Sequence, residues 1–322
     1  MQKPEPAYVC APHSFTSAAQ AMLCLPVEAG DPIIEEYRQG LSPNEYMLQV
    51  MLETTREGDR VLDLGCHVGT FSVGAAALKR KVIAVDASSA HVTFVKASGE
   101  ANRFADFSVH WRAIDEMRKT VRIVERGIWT SVVDGANPDA VEVPACGLDE
   151  LIAEAGGGKI DFLKMDIEGG EFGAIRSGGK MLRESQPVIL FESNGMTAKE
   201  VGHTVDDIRR ELKRHGYKVF RCEGPRWVHA PIGELQPEAW VDMLALTERH
   251  QQMWADRIDW KWSLDAMYEK CVWWSKLPYV NTREYLLEEL RAGKVSWFHR
   301  RRFNELAKEV EKGLAADASK GA

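Results

Sequence analysis

Val61-Leu62-Asp63-Leu64-Gly65-Cys66-His67-Val68-Gly69-Thr70-Phe71 decides the fold. An apolar run reaches Asp63, two glycines bracket a tight loop, and a helix-like segment follows. This is the strand–loop–helix opening of a doubly wound parallel sheet, whose strand ends border a cofactor crevice. A dinucleotide site would require G-x-G-x-x-G, so that a pyrophosphate can lie on backbone N–H groups at the helix start. Here Gly65 and Gly69 are separated by Cys66, His67 and Val68, and no Lys-Ser/Thr pair follows to form a nucleotide phosphate loop.

Such a loop suits S-adenosylmethionine (SAM), whose amino-acid half carries no pyrophosphate; a tight strand–helix turn without a ligand is the alternative. Downstream, Lys81–Ala87 is a β-branched run that ends in Asp86-Ala87. An acid at the second strand tip, about 20 residues after the glycine loop, is placed to accept from both ribose hydroxyls. A helix N-cap would explain Asp86 alone, but not Asp86 together with the glycine loop.

A third run, Lys159–Glu171, reads Lys-Ile-Asp-Phe-Leu-Lys-Met-Asp-Ile-Glu-Gly-Gly-Glu. With the glycine loop it resembles the FkbM family of SAM-dependent methyltransferases over about residues 40–246. The matching positions of the family's Lys-x-Asp-x-Glu-Gly-x-Glu marker are Lys164, Asp166, Glu168, Gly169 and Glu171. The first loop departs from the family, which usually has Ala-Asn where Cys66 and His67 stand. The resemblance implies a seven-stranded, mainly parallel, Rossmann-like class I methyltransferase sheet. It also implies a hydroxyl acceptor on a small molecule, sugar or glycan-like compound, and adenine flanked by Ala113 and Ile114 after the third strand.

Asp63, Asp86, Asp166 and Glu192 all fall at expected strand tips, which places them around one crevice. Gly65 and Gly69 allow the chain to approach the methionine portion of the cofactor, along a loop whose side chains are Cys66 and His67. Asp63 orients that loop or binds the cofactor's ammonium, and Asp86 with Ala87 borders the ribose. Asp166 is the expected residue facing sulfonium and acceptor, able to take the hydroxyl proton. Glu168 shares its face if the strand runs on, Glu192 is a further candidate base, and Glu171 braces the loop at a helix start. His67 and His203 are candidate bases by chemistry only. The acids would also suit a divalent cation as hard oxygen ligands, but no dedicated metal motif is present.

The remaining sequence sets bounds. With 45% hydrophobic and 28% charged residues in 322, the composition is that of an ordinary globular protein. A formal charge of −7 argues against a nucleic-acid surface as the main design. No apolar run reaches membrane-span length, and Pro26 interrupts Ala18–Val27, so a signal peptide is not expected. The six dispersed cysteines (10, 24, 66, 146, 222, 271) form no C-x-x-C pair and suggest reduced thiols in a cytoplasmic protein.

Residues 1–41 read as a loosely ordered arm or cover, 42–246 as the methyltransferase domain, and 247–322 as a helical extension. Eight of the ten tryptophans lie between 227 and 297, so the extension is expected to pack on the domain, to join subunits of a homo-oligomer, or to wall the acceptor pocket. Arg291–Arg302 is locally basic, which suits a solvated helix face or an anionic partner. Three other functions remain open: a SAM-binding module without catalysis, an N-methyltransferase (although Phe191-Glu192-Ser193-Asn194 replaces the usual Asn-Pro-Pro-Tyr type of motif), and, with the wrong glycine spacing, a dehydrogenase.

Overall fold

The computed structural model describes residues 6–27, 32–42, 45–126, 129–132, 137–223, 226–229, 240–253, 304–312 and 315. Two compact units are present, residues 1–222 with 227–258 and residues 223–226 with 259–322. In the second, residues 304–312 are helical and bury Leu306, Ala307 and Val310. The Trp-rich stretch 254–303, with the basic run Arg291–Arg302, lies outside the described residues.

The first unit begins with strands β1 (Tyr8–Thr16) and β2 (Ala19–Pro26) and helices α1 (Pro32–Arg38) and α2 (Glu45–Thr54). Then come β3 (Arg60–Leu64), α3 (Thr70–Ala77), β4 (Lys81–Asp86), α4 (Ser89–Asn102) and β5 (Phe107–Trp111). A connecting region holds β6 (Ala113–Ile114), β7 (Thr120–Arg126), β8 (Trp129–Val132), β9 (Val141–Cys146) and α5 (Leu148–Glu154). The second half comprises β10 (Phe162–Met165), α6 (Glu171–Ser177), α7 (Gly179–Glu184), β11 (Val188–Asn194), α8 (Gly195–Glu200) and α9 (Val205–Arg214). It closes with β12 (Tyr217–Glu223), β13 (Arg226–His229), β14 (Trp240–Thr247) and α10 (Glu248–Met253).

The main sheet has the order β13-β12-β14-β11-β10-β3-β4-β5. Its central strands are parallel, and β14 runs antiparallel to both β11 and β12. This is the expected doubly wound, Rossmann-like sheet of seven strands, with β13 added as an eighth at the edge. The central strands are mostly apolar because helices cover both faces, with Asp63 and Lys164 as buried exceptions. Val61, Leu62, Phe162, Leu163, Met165 and Ile189 have no exposed surface, and each such side chain contributes roughly 1.5–3 kcal/mol. Strand order reverses between β3 and β10, so the crevice opens at their carboxyl ends.

Between β5 and α5, strands β6 to β9 form a separate sheet of order β6-β9-β7-β8. Two expectations are corrected. Residues 8–26 form an antiparallel hairpin rather than a loose arm, and it packs on α3 and α4. Cys10 and Cys24 stand directly opposite in that hairpin and form a disulfide, so they are not reduced thiols. Cys66 and Cys146 are free and buried. Among the described residues no helix is long and apolar enough to cross a membrane.

Candidate active site

The glycine loop and the loop after β10 meet backbone to backbone. Gly65 has φ +75°, and a Cβ there would fall 1.7 Å from the carbonyl oxygen of Asp166. At Gly69, φ +87°, a Cβ would press on Val95 of α4 at 2.9 Å. Both glycines therefore admit neighbouring protein as well as turning the loop. Beneath them Lys164, itself buried, donates from Nζ to the Gly65 carbonyl at 2.8 Å. The same ammonium lies 3.3 Å from Asp63 Oδ1 and 3.6 Å from Asp166 Oδ2. Asp63 has no exposed surface and accepts from the Ser72 hydroxyl at 2.6 Å. Burial pushes the Asp63 carboxyl up, against the lowering effect of Lys164 and Ser72. Burial disfavours the Lys164 charge, yet Asp63 and Asp166 outweigh it and hold the ammonium protonated. Asp63 is thus fully buried beneath the glycine loop, held by Ser72 and Lys164.

Across the crevice Asp86 is buried and committed to protein partners. Its Oδ2 accepts from the His67 N–H at 2.8 Å, and its Oδ1 accepts from the Ser88 N–H at 2.8 Å and lies 3.2 Å from His91 Nδ1. Burial would raise this carboxyl, but His91 and the two N–H donors lower it overall. The N-cap of α4 is Ser88, not Asp86, which removes the capping explanation. His67 takes φ +51°, and its ring stands edge-on to His91 at 4.6 Å. Trp111 donates from its indole N–H to the Ala87 carbonyl at 2.8 Å, and the Arg112 N–H reaches the Asp86 carbonyl at 3.1 Å. Ala113 and Ile114 follow in β6 opposite Ala145 and Cys146, and Ala87 packs against the cluster around Ala113. Burial, then Asp86 and Asp63, push the Cys66 thiol well up, so it is an inert small hydrophobe.

Three carboxylates gather on the β10–β11 side. One oxygen each of Asp166, Glu168 and Glu192 lies within 4.8 Å of the others. That spacing would admit one hard cation; nothing else among the described residues points to one. β10 stops at Met165, so Glu168 joins the group from a loop with φ +51° rather than from a continued strand. Glu192 lies within β11, which runs on to Asn194, instead of at the strand tip. Burial followed by the charges of Asp166 and Glu171 raises Glu168 to about 8. Glu192 is raised well above its ordinary range by burial, then by Asp166 and Glu168. Trp240 opposes that rise, its indole N–H donating to Glu192 Oε1 at 2.6 Å.

Glu171 braces the loop as expected. Its two oxygens accept from the N–H groups of Ile167 at 2.9 Å and Gly169 at 3.0 Å. Burial nevertheless raises it to about 7. His203 holds the same loop from outside, with Nε2 2.8 Å from the Gly169 carbonyl and its ring tilted against Phe172. Asn194, in the strand end where an amino-methyltransferase motif would stand, uses Oδ1 to accept from the Met196 N–H and cap α8. Sequence reasoning missed His91, Trp240 and the bridging role of Lys164. Only Lys164 had a sequence signal, its place two residues before Asp166.

Residues 75–219 match the methyltransferase FkbM domain. Among solved structures the chain resembles the methyltransferase FkbM from Methylobacillus flagellatus KT, at 16% identity and TM-score 0.39, covering 66% of this chain and 52% of that one. It also resembles an rRNA methylase from Streptococcus thermophilus, at 11% identity and TM-score 0.40, with 65% and 98% covered. A third is the magnesium protoporphyrin IX methyltransferase from Synechocystis PCC 6803 with bound SAH, at 14% identity and TM-score 0.39, with 69% and 90% covered. No curated protein matches by sequence.

Proposed function

With an FkbM methyltransferase domain in this chain as premise, we propose that it binds SAM and transfers the methyl group to a hydroxyl of a small molecule, sugar or glycan-like acceptor. The observation that carries this reading is the junction at Gly65 and Asp166. There the loop that holds the cofactor's methionine portion touches the strand end bearing the acid cluster.

Methyl transfer is an in-line displacement in which the sulfonium charge disperses, so the protein's tasks are alignment and exclusion of water. Gly65, Cys66, His67 and Gly69 form the bed for the methionine portion, Asp86 and Ala87 hold the ribose, and Ala113 and Ile114 flank adenine. Ribose hydroxyls would compete with His91 and the Ser88 N–H for Asp86, so its carboxylate is oriented before the ligand arrives. Asp166 faces the sulfonium and acceptor. Glu168 and Glu192, whose carboxyls hold their protons more tightly than usual, suit a base that takes the acceptor's proton near neutral pH. The use of Asn194 as a helix cap favours a hydroxyl acceptor over an amino acceptor.

Calorimetry with SAM, S-adenosylhomocysteine (SAH) and NAD tests the cofactor. SAM and SAH are expected to bind, and SAM at ~100 times its dissociation constant adds roughly 2.7 kcal/mol of stability. Tight NAD binding without SAM binding overturns the reading. Methyl transfer to a panel of hydroxyl and amino acceptors, followed by mass spectrometry, then separates O- from N-methylation and both from a non-catalytic module.

A further inference from the structure

We propose that Lys164 is a positioning residue that tempers the charge of Asp166, so that the site does not hold the charged cofactor too tightly to release its methyl group. The inference rests on the SAM reading given above.

Three contacts converge on the Lys164 ammonium: the Gly65 carbonyl at 2.8 Å, Asp63 Oδ1 at 3.3 Å and Asp166 Oδ2 at 3.6 Å. The side chain is 7% exposed and that of Asp63 is 0% exposed, whereas the Asp166 side chain is 36% exposed and faces the crevice. One buried cation therefore joins the loop under the methionine portion to the carboxylate expected beside the sulfonium.

The sequence of β10 makes this arrangement unusual. Phe162, Leu163 and Met165 are wholly buried and apolar, and Lys164 replaces what would be another Val, Ile or Leu. Burying an ammonium is costly unless it is paired, and Asp63, paired with it, is no less buried.

The chemistry gives the charge a purpose. SAM is a sulfonium and SAH is a neutral thioether, so the positive charge on sulfur is lost as the S–CH₃ bond breaks, the O–CH₃ bond forms and the acceptor's proton passes to a carboxylate. A bare carboxylate beside the sulfur stabilises the ground state more than the transition state, which slows the chemical step. A lysine behind that carboxylate reduces the difference while keeping Asp166 fixed.

The experiment compares SAM and SAH affinities by calorimetry in the wild type, Lys164→Met, Lys164→Arg and the double variant Asp63→Asn/Lys164→Met. The double variant removes both members of the buried pair, so it remains testable if Lys164→Met does not fold. Loss of the lysine charge should raise the ratio of SAM to SAH affinity about tenfold in both Met variants, as unscreening one nearby charge in a partly buried site would. Lys164→Arg should keep the wild-type ratio. A brace without an electrostatic role changes both affinities together; an unchanged ratio in a folded Met variant, or an equal rise in Lys164→Arg, overturns the inference. A wild type that binds neither ligand overturns the SAM reading itself.

Discussion

The two walls of the crevice treat their acids differently. On the β3–β4 side, Asp86 holds two N–H donors and lies against His91, and Asp63 is paired with Ser72 and Lys164. On the β10–β11 side, Asp166, Glu168 and Glu192 crowd one another, and Glu168 Oε2 is buried without a hydrogen-bond partner. The carboxylates of the first wall are paired with cations and donors of the protein before any ligand arrives. The second stores repulsion that a ligand or a proton would relieve. A preorganised wall suits binding, and a wall of raised carboxyls suits proton transfer.

Variants on the second wall should therefore act on turnover. Asp166→Asn keeps shape but removes the charge, so turnover should fall by ~10²–10⁴ and the ratio of SAM to SAH affinity should fall with it. In the wild type, turnover should rise with pH as Glu168 and Glu192 lose protons, with Glu168 titrating near 8. A flat profile would move the base away from Glu168 and Glu192, a near-normal rate in Asp166→Asn would remove Asp166 from the reacting centre, and either would weaken the contrast between the walls.

A variant on the first wall should act on binding. Asp86→Asn leaves one acceptor oxygen where two serve His67, Ser88 and His91, so it should weaken SAM by roughly ten- to a hundredfold through lost charge-assisted bonds. Melting temperature should also fall, because the His67 and Ser88 N–H groups depend on this carboxylate. Unchanged SAM affinity in the folded variant would reduce Asp86 to a loop brace.

The smallest effect belongs to Glu171, which supports the second wall without entering it. Its folded-state value of about 7 exceeds the ordinary 4.5, so the folded state binds its proton more tightly than the unfolded chain does. The resulting stabilisation is full below about pH 4.5 and is lost as pH rises through about 7. In Glu171→Gln one of the two loop N–H donors meets an NH₂ group, at a cost of about 1–3 kcal/mol. That deficit should be largest near pH 5 and shrink by pH 8, as thermal melts across this range would show. A pH-independent deficit would mean that Glu171 is already ionised at pH 5.

Much of this was legible in the sequence because the central strands are short β-branched or apolar runs closed by Asp or Gly. The pairing of Glu171 with its own loop was legible too, since its partners are two and four residues away. The N-terminal hairpin was not. Its Pro12, Ser14 and Thr16 blur the alternation, and the facing of Cys10 and Cys24 depends on a register that spacing does not set. Glu168 was placed in the acid group for the wrong local reason, since it enters from a left-handed loop residue rather than a strand. Trp240 lay beyond reach because it meets Glu192 across 48 residues, through the pairing of β11 with β14.

The contact between Gly65 and the Asp166 carbonyl also bears on redesign. Any side chain at position 65 would push on the backbone of residue 166, so the glycine loop and the residue we propose at the reacting centre form one mechanical part. Changes aimed at a new acceptor belong on elements able to vary without disturbing that joint, such as α8, where Met196 is 55% exposed. Acceptor range would then evolve at the rim while the hinge between cofactor and acid stays fixed.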